Sequence, residues 1–202
     1  MKTLAAVVFD GFETLDMFGP LEFYGMLDEQ FEISMVGEKS GLVTCSSGQK
    51  IAVDRTFAES SSYDLLLVPG GRGTRAEVEN EVLLQWLRDA SGTAELVTSV
   101  CTGSALLAKA GVLDGRQATT NKRAFDWVAQ FGPNVDWIGQ ARWVEDGKFF
   151  TSSGVSAGMD MTLAAIAHLL DKETALNVER WAEYTWHKDA SEDPFAVQHG
   201  VS

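Results

Sequence analysis

Continuous apolar runs and helical spacings alternate along this chain from its first residues. Residues 4–9 (LAAVVF) form an unbroken apolar run, the pattern of a strand covered on both faces. Asp10-Gly11 breaks it, and Leu15, Phe18, Leu21, Phe23, Tyr24 and Leu27 follow at helical spacing. Gly19-Pro20 interrupts that spacing. Proline costs nothing at the first helical position, so the helix is expected to start at Pro20, with Asp16 in the loop before it. Residues 31–36 alternate as a second strand, and residues 43–45 and 50–53 flank Ser46-Ser47-Gly48 as a hairpin. Residues 65–68 are another buried strand, stopped by Pro69-Gly70-Gly71, and residues 82–90 carry a helical spacing.

The second half repeats the alternation. Residues 96–100 are a short run rich in β-branched residues, and residues 103–110 turn helical, stopped by Gly111. A short strand is expected at 117–119 and a helix at 123–131. Residues 142–145 and 148–151 flank Asp146-Gly147, a strong hairpin signal. Gly154 to Gly158 opens a long helix at 159–170, and a last helix runs from about 173 to 185. The tail from about residue 188 is polar and expected to be irregular. Strands alternating with helices predict an α/β fold: a doubly wound, mostly parallel sheet with helices on both faces, in one domain spanning 1–202. Ligands in such sheets bind beyond the carboxyl ends of the strands. Three glycine-rich or polar loops fall there: 10–19, 69–73 and 101–103.

Cys101 occupies the joint between strand and helix. Around it the order is small, any, nucleophile, any, small: Ser99, Val100, Cys101, Thr102, Gly103. Small flanks permit the strained turn of a nucleophile elbow. The joint sets the sulfur beside a helix N-terminus, whose unpaired N–H groups favour a thiolate, so the pKa is expected below the free value of about 8.5. A buried structural cysteine is the plainer reading; the flanking residues favour reactivity.

Composition narrows the setting without changing the fold. The chain has 202 residues, 45% of them hydrophobic and 22% charged, enough for a core without disulfide staples. A net charge of −13 argues against a nucleic-acid partner. No apolar run approaches about 18 residues, so no membrane span is expected, and no cationic leader opens the chain. The two cysteines, Cys45 and Cys101, lie in dissimilar surroundings, which fits a reduced, cytoplasmic setting. Three histidines without ligand spacing predict no metal site.

Asp16 is the candidate partner of Cys101. A buried carboxyl beside a thiolate has its pKa raised and can donate a proton; a helix N-cap is the equal alternative. Gly70 and Gly71 let backbone N–H groups approach a substrate, and with the Thr102 amide they could form an oxyanion-type pocket; a tight turn after the strand is the simpler reading. The Thr102 hydroxyl serves substrate or water, or is a first-turn residue only. Asp160 is expected to stabilise a helix N-terminus, His168 to be a packed helix residue and Cys45 a strand residue. No histidine is placed by sequence to activate the thiol, so Cys101 must rely on the helix terminus and neighbouring donors.

With these residues in hand the chain resembles the ThiJ/PfpI superfamily over nearly its whole length. The carrying segments are VVFDGFETLDMFGP, LLLVPGG, VTSVCTGSALLAKAGVLDGRQATTN and TSSGVSAGMDMTLAAIAHLL. The resemblance implies a flavodoxin-like three-layer sandwich, a homodimer and a reactive elbow cysteine. Protease- and amidase-like members place histidine after the cysteine, where this chain has Thr102, and many glyoxalase- and deglycase-like members use a glutamate where it has Asp16. The elbow with an aspartate looks most like isonitrile hydratase, which adds water to a small-molecule isonitrile without metal or organic cofactor. The resemblance then makes Cys101 the nucleophile, Asp16 the proton source and Thr102 the neighbour of the hydrolytic water, with Gly70, Gly71 and Gly154 lining the pocket. It leaves a glyoxalase-, deglycase- or amidase-like enzyme as alternatives, or a stand-alone ligand or redox sensor related to the amidase-like half of AraC-type regulators. Two departures bear on pocket shape. Relatives often continue ATTHW where this chain has Thr119-Thr120-Asn121-Lys122, and Met17-Phe18 is bulkier than the residues often found before Gly19-Pro20.

Overall fold

The apolar run near the N-terminus becomes an interior strand, as a segment covered on both faces must. The computed structural model describes residues 1–201. In chain order its strands are β1 (Lys2–Val7), β2 (Phe31–Gly37), β3 (Gly41–Thr44), β4 (Lys50–Val53), β5 (Arg55–Thr56), β6 (Leu65–Val68), β7 (Leu96–Ser99), β8 (Gln117–Ala118), β9 (Asp136–Trp137), β10 (Trp143–Asp146) and β11 (Phe149–Ser152). The helices are α1 (Thr14–Gly25), α2 (Thr74–Glu77), α3 (Glu81–Thr93), α4 (Gly103–Lys109), α5 (Phe125–Ala129), α6 (Ala157–Leu169), α7 (Lys172–Trp181) and α8 (Pro194–Gln198).

Seven strands form one sheet in the order β10-β11-β7-β6-β1-β2-β5, parallel throughout except for β10, which turns back on β11. The flavodoxin-like α/β architecture is therefore present: α6 packs with α1 and with α7, and α4 packs with α2 and α3. Strands β6 and β7 consist wholly of buried residues. Parallel register brings Val68 level with Ser99, and Ala6 level with Leu67. The loops leaving β1, β6, β7 and β11 therefore emerge at one edge, where a doubly wound sheet places its ligands.

Three expectations change. Helix α1 begins at Thr14 and carries Pro20 inside it, so Asp16 lies in its first turn and not in a preceding loop. The missing proline N–H is outweighed by packing: Met17, Leu21, Phe23 and Tyr24 are all buried, and Met159 of α6 seats against Gly19. The α1 N-terminus has no side-chain cap; the Glu13 N–H instead donates to the Gly70 carbonyl at 2.8 Å. The helix expected at 123–131 opens as a 3-10 turn, Lys122–Ala124, before α5. The tail is not wholly irregular, because Asp193 caps α8 by accepting the Phe195 N–H at 3.0 Å and Pro194 fills its first turn.

Asp160 is also more than a helix-terminus charge. It is fully buried, it pairs with Arg142 at 2.6 Å, and it accepts from the Tyr184 hydroxyl at 3.0 Å and the His187 N–H at 2.9 Å. It ties the β10 hairpin and the tail onto α6. No helix among the described residues is long and apolar enough to cross a membrane.

Candidate active site

Cys101 sits between β7 and α4 with φ at 56°, a left-handed conformation uncommon for any residue but glycine. The strain is held from both sides. Its N–H donates to the Ser153 carbonyl at 3.1 Å, and its carbonyl accepts from the Thr120 hydroxyl at 2.8 Å and the Ser104 hydroxyl at 3.2 Å. Gly103 is required by close packing: a Cβ there would stand 2.2 Å from the Val68 carbonyl oxygen. The sequence reading of an elbow and its small flanks describes this turn correctly.

Across the sulfur lies a second left-handed residue, Val155, with φ at 46°. A β-branched side chain in that region is a marked outlier. The turn brings the Val155 N–H near the Cys101 sulfur, where with the Thr102 N–H and the Asn121 side-chain amide it favours the thiolate. Asn121 is oriented from behind, its Oδ1 accepting the Ala124 N–H at 3.1 Å and leaving its Nδ2 for the sulfur. Gly154 makes room for that amide. Lys122 is 3% exposed and donates to Thr119 Oγ1 at 2.8 Å and to the Ala141 carbonyl, which anchors the Asn121 loop; burial lowers its pKa to about 8.

Asp16 reaches the same sulfur from α1 and is 0% exposed. Its Oδ2 accepts the Gly70 N–H at 2.9 Å. Burial pushes its pKa up to about 7, with the Gly70 N–H opposing, the Glu13 charge adding to the rise, and the Cys101 thiol favouring the anion. The thiol approaches without a hydrogen bond of ordinary geometry, so Asp16 Oδ1 has no settled partner among the described residues. The N-cap alternative is set aside, because that position belongs to Glu13.

The thiol itself departs from the sequence expectation. Burial, and next the Asp16 charge, push its pKa upward, and the three facing donors only partly offset them. The helix terminus does not by itself make a ready thiolate. Two buried acids this close favour states with one negative charge between them.

Gly70 and Gly71 have different duties from those expected. The Gly70 N–H is committed to Asp16, and the Gly71 N–H donates to Thr102 Oγ1 at 3.1 Å, so neither is open to a substrate. Gly70 allows close approach, since a Cβ there would meet the Thr102 nitrogen at 2.5 Å and Asp16 Oδ2 at 2.9 Å. The Thr102 hydroxyl accepts also from the Thr74 hydroxyl at 3.1 Å; it braces the glycine loop, while its backbone N–H faces the sulfur.

Cys101, Thr102 and Gly71 border an open cavity of about 640 Å³, whose wall also carries Asn121, Arg75 and Trp127. A second cavity, about 340 Å³ between Phe9, Lys39 and Phe57, has no cysteine in its lining. Cys45 lies outside the site, just beyond β3. Burial opposes its anion, but the Thr14 hydroxyl and the N–H groups of Ser47, Gln49 and Gly48 bring its pKa below the ordinary value. His168 is also outside, half-exposed, with its ring edge-on to Phe150 and its Nδ1 3.2 Å from Glu145.

The sequence carries no sign that Asn121 and Val155 stand beside the sulfur. Asn121 was visible only as a departure from ATTHW, and a left-handed valine leaves no sequence signal.

The chain matches the sequence pattern of the DJ-1/PfpI family over residues 2–168, and it belongs to that family. It is 34% identical over 180 residues to an isonitrile hydratase of Pseudomonas putida, covering 88% of this chain and 76% of the relative. A deglycase of Pyrococcus abyssi is 30% identical over 145 residues, 71% of this chain and 84% of the relative. Among solved structures, a ThiJ/PfpI family protein from Pseudomonas syringae superposes with a TM-score of 0.84 at 32% identity, covering 91% of this chain and 75% of that one.

Proposed function

We propose that this member of the DJ-1/PfpI family adds water to a small isonitrile, giving an N-substituted formamide, through a thioimidate on Cys101. The observation that carries the reading is the buried Asp16 carboxyl, its pKa raised to about 7, beside the strained elbow cysteine on an open cavity. The identity to an isonitrile hydratase supports the choice of substrate.

The cycle starts when the one proton of the pair moves from the Cys101 thiol to the Asp16 carboxylate, which leaves a thiolate with the Thr102 and Val155 N–H groups and the Asn121 amide beside it. Asp16 gives its proton to the terminal isonitrile carbon as the sulfur bonds to the same carbon. The result is a thioimidate, sulfur–CH=N–R, and an Asp16 carboxylate. Water then adds across the C=N bond, hydroxyl to carbon and proton to nitrogen. Asp16 takes the hydroxyl proton as the carbon–sulfur bond breaks, which releases the formamide and restores the starting state. The three donors that faced the attacking sulfur stabilise it again as leaving group. Atoms and charge balance without a metal or organic cofactor, and we take the working unit to be a homodimer.

A deglycase-like activity on reactive carbonyls would use the same pair, and the Pyrococcus relative favours it. Intact-mass analysis of acid-quenched enzyme during turnover separates the two. The hydratase reading expects a mass gain of one isonitrile on the Cys101 peptide; turnover of methylglyoxal, with no isonitrile adduct and no formamide, would replace it.

A further inference from the structure

The cavity beside Cys101 differs in charge from the rest of the protein. The chain carries 29 acidic residues against 16 lysines and arginines, yet Arg72, Arg75 and Arg123 all line this one cavity. Among the described residues none of the three forms an ion pair. Of the other five arginines, Arg55, Arg88, Arg116 and Arg142 pair with carboxylates, and Arg180 bonds the neutral Asn177. Three of the four guanidinium groups without a carboxylate partner among the described residues are thus gathered where a ligand enters. Glu13 lines the same wall, so positive charge still exceeds negative there.

Arg75 is also held in place. Its guanidinium lies 3.9 Å from the centre of the Trp127 ring, and its Nη1 donates to Thr74 Oγ1 at 3.2 Å. Its Nε and Nη2 donors have no partner among the described residues, and that edge of the planar fork takes a carboxylate in two parallel hydrogen bonds. A surface arginine kept only for solubility needs neither the stack nor the cavity. A site of about 640 Å³ admits an aromatic ring with an acid group.

We infer that the substrate attacked by Cys101 carries a carboxylate, held at the cavity mouth by Arg75 together with Arg72 and Arg123. The reaction part rests on the hydratase reading; the anion preference does not.

Two comparisons test it. The first needs no turnover: alkylation of Cys101 by iodoacetate against its neutral counterpart iodoacetamide, read by mass spectrometry of the Cys101 peptide. The iodoacetate-to-iodoacetamide rate ratio is expected to exceed that of free glutathione by about tenfold or more. It falls toward the glutathione ratio in Arg75→Gln/Arg123→Gln, and it falls as salt is added. A wild-type ratio equal to that of glutathione overturns the inference. The second comparison sets hydration of 4-isocyanobenzoate against that of its methyl ester, with kcat/KM expected to favour the acid by about tenfold and the preference lost in Arg75→Gln. Equal hydration of acid and ester overturns the inference and leaves the hydratase standing. Hydration of neither removes the hydratase reading, and the alkylation ratio then decides the anion preference alone.

Discussion

The Asn121 side-chain nitrogen stands 2.5 Å from the point where a Cβ on Gly154 would be, so the absence of a side chain at 154 is what lets the amide reach the Cys101 sulfur. Two residues far apart in sequence thus form one feature, a donor and the space for it. The feature makes Gly154 a positioning residue, which differs from lining a pocket.

Gly154→Ala is therefore expected to fold, because the added methyl meets the end of a side chain and not backbone. It displaces the amide and removes a donor from the thiolate, which slows alkylation of Cys101 by iodoacetamide at pH 7 by about tenfold or more. Asn121→Ala changes the rate in the same direction. A normal rate in both variants would detach Asn121 from the sulfur.

Asp16 is expected to act on stability as well as on rate. Its pKa in the folded protein is about 7, raised from 3.8, so the folded state binds the proton more tightly than the unfolded chain does. Stability then falls as pH rises between these values, by up to about 1.4 kcal/mol per pH unit, and levels off above 7. Asp16→Asn removes that slope and cuts the rate by about 10²–10⁴-fold. Urea titrations from pH 5 to 8 would show the difference; parallel profiles for wild type and variant would contradict a buried, protonated Asp16.

Thr102 divides between two accounts. If its hydroxyl braces the glycine loop, Thr102→Val leaves the Gly71 N–H short of a partner, while the Thr74 hydroxyl keeps the Gly71 carbonyl, and costs about 1–3 kcal/mol; Thr102→Ser stays near wild type in melting temperature. A Thr102→Val protein of full stability but altered turnover would return the hydroxyl to the role of holding the hydrolytic water.

The parts of the fold read well from sequence are those where one physical pattern is unopposed. Residues 65–68 and 96–100 are uniformly apolar or small because they are covered on both faces, and the elbow follows because Ser99 and Gly103 leave only one kind of turn. The sequence pattern puts Asp16 in a loop, because Gly19-Pro20 looks like a helix start, whereas the buried face of α1 overrides it. The sulfur donors were less visible. The Asn121 amide and the Val155 N–H arrive through tertiary register, and no local pattern distinguishes a backbone N–H aimed at sulfur from one aimed at water. The sequence marks Gly70 and Gly71 as close-approach glycines, but which groups use their N–H groups depends on the side chains at 16 and 102.

The most direct measurement is formamide production from phenyl isocyanide in deuterium oxide, followed by NMR for the reduced wild type and Cys101→Ala side by side. The account predicts an N-phenylformamide whose formyl position carries deuterium delivered through Asp16, formed by the wild type and not by the variant. Formamide produced equally well by Cys101→Ala, or none produced by the reduced wild type, would contradict it.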